Sequence, residues 1–174
     1  MMHREFLASP VGVITIEASE LGVTRISLGK PPTEAPMPSD ITGMGRQQLE
    51  AYFAGERTRF DLPLDLHGTT FQRKVWSCLC AIPFGEVRSY GDIAAMIDNP
   101  KAVRAVGAAN GRNPVAIVVP CHRVIGGDGT LTGFAAGIER KSWLLAHEGV
   151  AVKPVRRRRV FDAADLGQGS LFAD

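Results

Sequence analysis

The chain has 174 residues, 45% hydrophobic and 22% charged, a composition that excludes a disordered polymer and allows one ordinary domain or two small ones. No apolar run is long enough to cross a bilayer, and Met1-Met2-His3-Arg4-Glu5-Phe6 lacks the profile of a secretion signal, so a cytoplasmic protein is expected. The net charge of +2 is unevenly spread: residues 1–68 carry nine acids against six bases, residues 69–159 fourteen bases against six acids, and the last fifteen residues three acids and no base. Such a basic block fits a polyanion partner, because phosphate neutralisation is a sequence-independent source of affinity, and it fits a solvated face equally well.

Three apolar segments open the chain, Phe6-Leu7-Ala8, Val11 to Ala18 and Val23 to Leu28, separated by Ser9-Pro10 and Glu20-Leu21-Gly22. They predict a small antiparallel meander. Residues Gly29 to Pro38 hold four prolines and read as a loop. From Arg46 to Gly55, Leu49, Tyr52 and Phe53 recur at helical spacing, with Gly55 as C-terminal cap. This first part, residues 1–66, contains no cysteine and reads as a scaffold domain.

Thr69 with Gln72 predicts a capping box opening a helix whose apolar face is Phe71, Val75, Trp76, Leu79 and Ile82, ended by Pro83-Phe84-Gly85. Ser89 caps a short helix with Ile93, Ala94 and Ile97. After the turn Asp98-Asn99-Pro100, a second helix runs from Lys101 to Asn110, and the pair reads as a helix-turn-helix. In that second helix Val103 and Val106 are expected to face the core. Ala102, Ala105, Gly107, Ala108 and Ala109 leave the rest small, and Arg104 is the one long side chain in its middle. A surface of this kind can approach another backbone closely, although alanine is also simply a good helix former. Ala116 to Val119 predicts a buried strand leading into Pro120-Cys121-His122-Arg123-Val124. A glycine-rich loop follows, and a last helix, Glu139 to Glu148, packs Trp143, Leu144 and Leu145. The whole reads as an α/β protein: an antiparallel-sheet domain, a mostly helical domain over residues 67–152, and a tail, basic then acidic, over residues 153–174.

Cys78, Cys80 and Cys121 are the only cysteines. Three thiols without a secretion signal argue against a disulfide framework, and the spacing gives no metal site. Cys78 and Cys80 are expected to be small core residues. Cys121 followed by His122 can be a nucleophile and its base, provided that a third group holds the other ring nitrogen; Glu148 is the best candidate. A bare Cys-His pair supports this reading and a structural one equally.

More specific is the order in which Gly68-Thr69-Thr70-Phe71-Gln72, Val75-Trp76, Ile82-Pro83-Phe84-Gly85, Ser89-Tyr90-Gly91-Asp92-Ile93-Ala94, Arg104-Ala105-Val106-Gly107, Asn113-Pro114 and Ile117-Val118-Val119-Pro120-Cys121-His122-Arg123-Val124-Ile125 occur. These segments resemble the O6-alkylguanine-DNA alkyltransferase family, closely over residues 68–149 and in layout only before that. The resemblance implies a ribonuclease H-like first domain and a winged helix-turn-helix in the second. It also implies stoichiometric, self-inactivating transfer of an alkyl group from O6-alkylguanine, and from O4-alkylthymine, to Cys121 after base flipping. His122 would activate the thiol and Glu148 orient the histidine. Tyr90 would force nucleotide rotation and assist the leaving base, and Asn113 would brace the turn before the reactive segment. Arg104 would enter the minor groove, with Ala102, Ala105 and Arg123 also at the DNA, and Pro120, Val124, Phe134 and Ala135 would line the pocket. No cofactor is implied, and the partner is double-stranded DNA bound by a monomer, with cooperativity between neighbours left open.

Phe134 stands where many members have tyrosine, Ala135-Ala136-Gly137 is less glycine-rich than usual, and the first domain lacks the cysteines of zinc-binding members. None of these removes a reacting group. In the tail, Arg156 to Arg159 reads as additional phosphate contact, against a charged tail without a role. Gln168-Gly169-Ser170-Leu171-Phe172 resembles a bacterial sliding-clamp peptide, a pattern short enough to arise by chance. Three rivals remain: a non-catalytic lesion sensor, which needs no nucleophile; a cysteine hydrolase, which needs a separate cleft; and a transcriptional regulator, which needs a sensory module.

Overall fold

The computed structural model describes residues 1–152. Both tail motifs, Arg156–Arg159 and Gln168–Phe172, lie outside the described residues. The chain divides into two units, with the boundary between Asp65 and Leu66. Among the described residues no helix is long and apolar enough to cross a membrane.

In the first unit, β1 (His3–Leu7), β2 (Ile14–Ala18) and β3 (Val23–Leu28) form an antiparallel meander in that order. Alternation along β2 buries Ile14, Ile16 and Ala18 and turns Thr15 and Glu17 to the other face, the period-two pattern of a sheet covered on one side. Helix α1 (Asp40–Phe53) covers the buried face, adding Leu49 and Tyr52 to the core. It begins six residues before the predicted start. Ser39 and Thr42 form a reciprocal capping box, while Gly43 and Gly45 dilute the periodicity by which a helix is read from sequence. Gly45 has a packing reason to be small, since a Cβ there would come within 3.3 Å of Ile16.

In the second unit, α2 (Thr70–Cys80) opens on the Thr69–Gln72 capping box and buries Val75, Trp76 and Leu79. The Trp76 indole N–H donates to the Ala109 carbonyl at 2.9 Å, tying α2 to the end of α4 (Val103–Gly111). Between them lie the two-residue strand β4 (Arg88–Ser89) and α3 (Tyr90–Met96), the latter capped by Ser89 with Asp92. β4 pairs in parallel with β5 (Val124–Ile125), Arg88 opposite Val124, so the residue that starts α3 is anchored to the segment that follows Cys121. Helix α5 (Ile138–His147) ends the unit, and Gly149 at φ 80° turns the chain beyond it.

The fold departs from three further sequence expectations. Ala116–Val119 is not a strand. The Val118 N–H donates to the Ala116 carbonyl across Ile117, whose φ is 72°, and the Val119 N–H donates to Val115. The run is a buried turn of the rare positive-φ γ kind, which an apolar β-branched pattern does not foretell. Val103 is 41% exposed, because α4 begins at this residue and its packed stripe, Val106, Ala109 and Asn110, lies one turn later. Cys80 is exposed and Cys78 half-buried, since the inward stripe of α2 runs through Val75, Trp76 and Leu79 and misses both.

Candidate active site

The reactive segment follows a second tight turn. Pro120 has φ −83° and ψ 65°, and the Cys121 N–H donates across it to the Val119 carbonyl at 2.8 Å. Residues Cys121–Arg123 then form one 3-10 turn, all three buried. Asn113 holds the preceding loop at two points: its side-chain amide donates to the Val119 carbonyl at 2.8 Å, and its side-chain oxygen accepts from the Val115 N–H at 3.0 Å. Asn110, buried on α4, donates to the Cys121 carbonyl at 3.4 Å.

Behind the cysteine is a buried charge cluster. Glu148 Oε2 lies 2.7 Å from His122 Nε2. Arg123 Nε donates to Glu148 Oε1 at 2.7 Å and Nη2 to Oε2 at 3.1 Å, a two-point grip, while Arg123 Nη1 donates to the Ile82 carbonyl at 2.7 Å. The guanidinium carbon lies 5.9 Å from the centroid of the Phe84 ring. An ionised carboxylate offers only acceptors, so the His122 proton resides on Nε2 and the lone pair on Nδ1. His122 Nδ1 has no hydrogen-bond partner among the described residues. Burial lowers the imidazole pKa, against the pull of Glu148, which keeps the ring neutral and able to accept a proton.

This geometry corrects the assignment of Arg123 to the DNA contact surface. The residue is 5% exposed, and each of its three nitrogens donates inward, to Glu148 or to a backbone carbonyl. A buried carboxylate without a cation would be costly, and Arg123 supplies that cation.

Cys121 is 6% exposed. Burial raises its thiol pKa, while Asn113 and the charge of Lys141 pull it back down. Lys141 is itself fully buried; burial drops its amine pKa to about 8, with the Cys121 thiolate opposing the drop. Its Nζ donates to the Thr132 carbonyl at 3.1 Å and lies 6.0 Å from the centroid of the Tyr90 ring. The Tyr90 hydroxyl accepts from Thr132 Oγ1 at 2.8 Å. Against Tyr90 stands Gly107 of α4, where a Cβ would be 3.9 Å from the phenol ring.

Cys121, His122 and Glu148 are thus brought together with Asn113, and Tyr90 shares the neighbourhood of Lys141. Arg104 and Ala105 are exposed on α4 and Ala102 is half-buried at its N-cap. Of the residues expected to line a pocket, Pro120 and Val124 are buried, Phe134 is half-buried and Ala135 exposed. Sequence reasoning missed Lys141 and Thr132. A signal for Lys141 was present: Lys141, Leu144, Leu145 and Glu148 fall at i, i+3, i+4 and i+7, one inward stripe of a helix. Thr132 gave none.

Both units of the chain have counterparts among known proteins. Residues 70–150 match the DNA-binding domain of 6-O-methylguanine DNA methyltransferase, and residues 2–66 match its ribonuclease-like domain. A methylated-DNA–protein-cysteine methyltransferase of Mycobacterium tuberculosis is 49% identical over 85% of this chain and 93% of its own length. One from Methanosarcina barkeri is 45% identical over 84% and 97%. The crystal structure of the M. tuberculosis O6-methylguanine methyltransferase superposes with a TM-score of 0.78 at 47% identity, covering 85% of this chain and 93% of that one. The M. tuberculosis OGT structure in complex with DNA gives 0.76 at 48% identity, covering 84% and 92%. With both of its units matched and nearly half of the aligned residues shared with such relatives, the chain belongs to the 6-O-methylguanine DNA methyltransferase family.

Proposed function

We propose that the chain reverses alkylation damage in DNA directly, moving the alkyl group of O6-alkylguanine onto Cys121. An O6-alkyl group is inaccessible in a stacked duplex, so the base must leave the helix, which costs a few kcal/mol and less for a poorly paired lesion. The thiol proton passes to His122 Nδ1, directly or through a water. Sγ attacks the alkyl carbon, the bond from that carbon to O6 breaks, and the electron pair stays on guanine. Tyr90 donates a hydrogen bond to the departing base, and guanine takes up one proton from solvent as His122 gives up the one it received, so that none is gained or lost. The products are unmodified guanine and an S-alkyl cysteine. A thioether has no easy hydrolysis route, so each chain acts once.

The observation that carries this reading is the buried Cys121 next to a histidine whose Nε2 lies 2.7 Å from Glu148 Oε2, the carboxylate that Arg123 also grips. Intact mass measurement after incubation with an O6-methylguanine duplex tests it. One added methyl on the Cys121 peptide, absent in Cys121→Ala, is expected; an unmodified chain after the lesion has disappeared would sink the reading. The alternative of a lesion sensor is not favoured, because binding alone needs neither the thiol nor its base.

In this reading the exposed turns of α4 lie in the minor groove, Ala102 and Ala105 permitting close approach and Arg104 filling the space of the extruded base. The protein works as a cytoplasmic monomer on double-stranded DNA. The Gln168–Phe172 peptide would tether it to a sliding clamp, which titration calorimetry with the isolated peptide tests: absence of heat on addition of clamp removes the idea.

A further inference from the structure

The Tyr90 phenol is held by a neighbour outside the reacting set. Thr132, in the loop between β5 and α5, donates its hydroxyl proton to Tyr90 Oη over 2.8 Å. The carbonyl of the same residue accepts from the fully buried Lys141 amine at 3.1 Å, and that amine lies 6.0 Å from the centroid of the Tyr90 ring. Thr132 is therefore gripped at both ends, its backbone by a buried amine and its hydroxyl by the phenol.

Only one proton can lie between two hydroxyl oxygens. When Thr132 supplies it, the phenol oxygen is the acceptor and the phenol's own proton is left to point elsewhere as a donor. A hydroxyl that accepts a hydrogen bond is also polarised into a better donor. A departing guanine requires a donor of this kind, because it leaves with the electron pair of the broken bond.

We propose that Thr132 is a positioning residue for the alkyl transfer: by occupying the acceptor side of the Tyr90 hydroxyl, and with Lys141 locking its backbone, it commits the phenol proton to the leaving base. This rests on the reading of Tyr90 given above. Thr132→Val keeps the shape of the side chain and removes the donor. Single-turnover methyl transfer from an O6-methylguanine duplex is measured for the natural chain, Thr132→Val, Tyr90→Phe and the double variant.

The expected result is a three- to tenfold slowing by Thr132→Val, on the order of one net hydrogen bond, with Thr132→Ser within about twofold of the natural rate. In the Tyr90→Phe background Thr132→Val should add less than about twofold, since the partner oxygen is gone. Equal slowing in both backgrounds would mean that Thr132 acts by packing and would overturn the proposal, as would no slowing in the natural background. If Tyr90→Phe leaves the rate unchanged, the donor role of Tyr90 fails and this inference with it, while the mass shift on Cys121 still reports whether transfer occurs. Should the valine chain not fold, Thr132→Ala carries the same comparison.

Discussion

Glu148 accepts hydrogen bonds from two side chains with opposite tasks: His122 must stay neutral until it receives a proton, whereas Arg123 must stay charged. The arginine satisfies the carboxylate and, as a nearby cation, adds to the lowering of the imidazole pKa. Over the pH range between that lowered value and the raised thiol value, the resting pair is neutral thiol and neutral imidazole, and the proton moves without entering solvent. Below the Lys141 value of about 8, single-turnover rates should therefore be flat from about pH 7, while in His122→Gln the rate should rise about tenfold per pH unit because solvent must take the thiol proton. Parallel pH profiles for the two chains would contradict the proton-acceptor role of His122. Lys141 makes a separate prediction. Its folded pKa of about 8 lies below the ordinary 10.5, so between these values the unfolded chain binds more protons and stability rises with pH. Below about pH 8 both states are protonated and the penalty of burying the charge is complete. Denaturant unfolding from pH 8 to 10 should show a steeper upward slope for the natural chain than for Lys141→Met, and identical slopes would place the ammonium in solvent.

Elements carry two further tests. Gly22 lies where β3 begins, and a Cβ there would stand 2.7 Å from the Pro63 carbonyl oxygen and 2.8 Å from the Leu64 carbonyl carbon. Backbone cannot swing aside as a side chain can, and the Val23–Leu64 bridge depends on this approach. Gly22→Ala should cost about 1–3 kcal/mol of stability, read from the midpoint of denaturant unfolding, and a cost below about 0.5 kcal/mol would show that the Pro63 segment is loosely held. On α4, Arg104→Ala should slow repair of duplex O6-methylguanine more than reaction with free O6-benzylguanine. Equal slowing on both substrates would remove its role at the groove. The elements also show what a sequence can reveal. The capping box at Thr69–Gln72 and the stripe Val75, Trp76, Leu79 were legible because local hydrogen bonding and periodicity determine them. The turn at Ile117 was not, because its positive φ is imposed by the surroundings against the preference of a β-branched residue. Arg123 was misplaced for a related reason: in the sequence its charge suggests solvent or phosphate, and only the fold reveals the carboxylate beside it. Thr132 and Tyr90 are 42 residues apart, a pairing that no local pattern encodes.

For the whole molecule the governing quantity is the distribution of charge. We propose that the fourteen bases against six acids between residues 69 and 159, four of the bases in Arg156–Arg159, contribute affinity for DNA through release of counterions. Truncation after Val155 removes those four arginines. The slope of log affinity against log salt should become shallower by up to about 3.6, roughly 0.9 for each phosphate that is no longer neutralised. Reaction with a free purine should be unchanged, since no phosphate takes part. An unaltered salt slope would assign the arginine run to something other than DNA.

Lys141 and Glu148, a cation near the thiolate and the anion behind its base, are borne two turns apart by a single segment, α5 with the residue that caps it. The segment acts as a ruler that fixes both charges in one phase. Inserting a single residue between them would rotate one relative to the other by about 100°, so nucleophile and base could not both keep their attendants. Point substitutions along the outer face should be tolerated where such a frameshift of the helix is not.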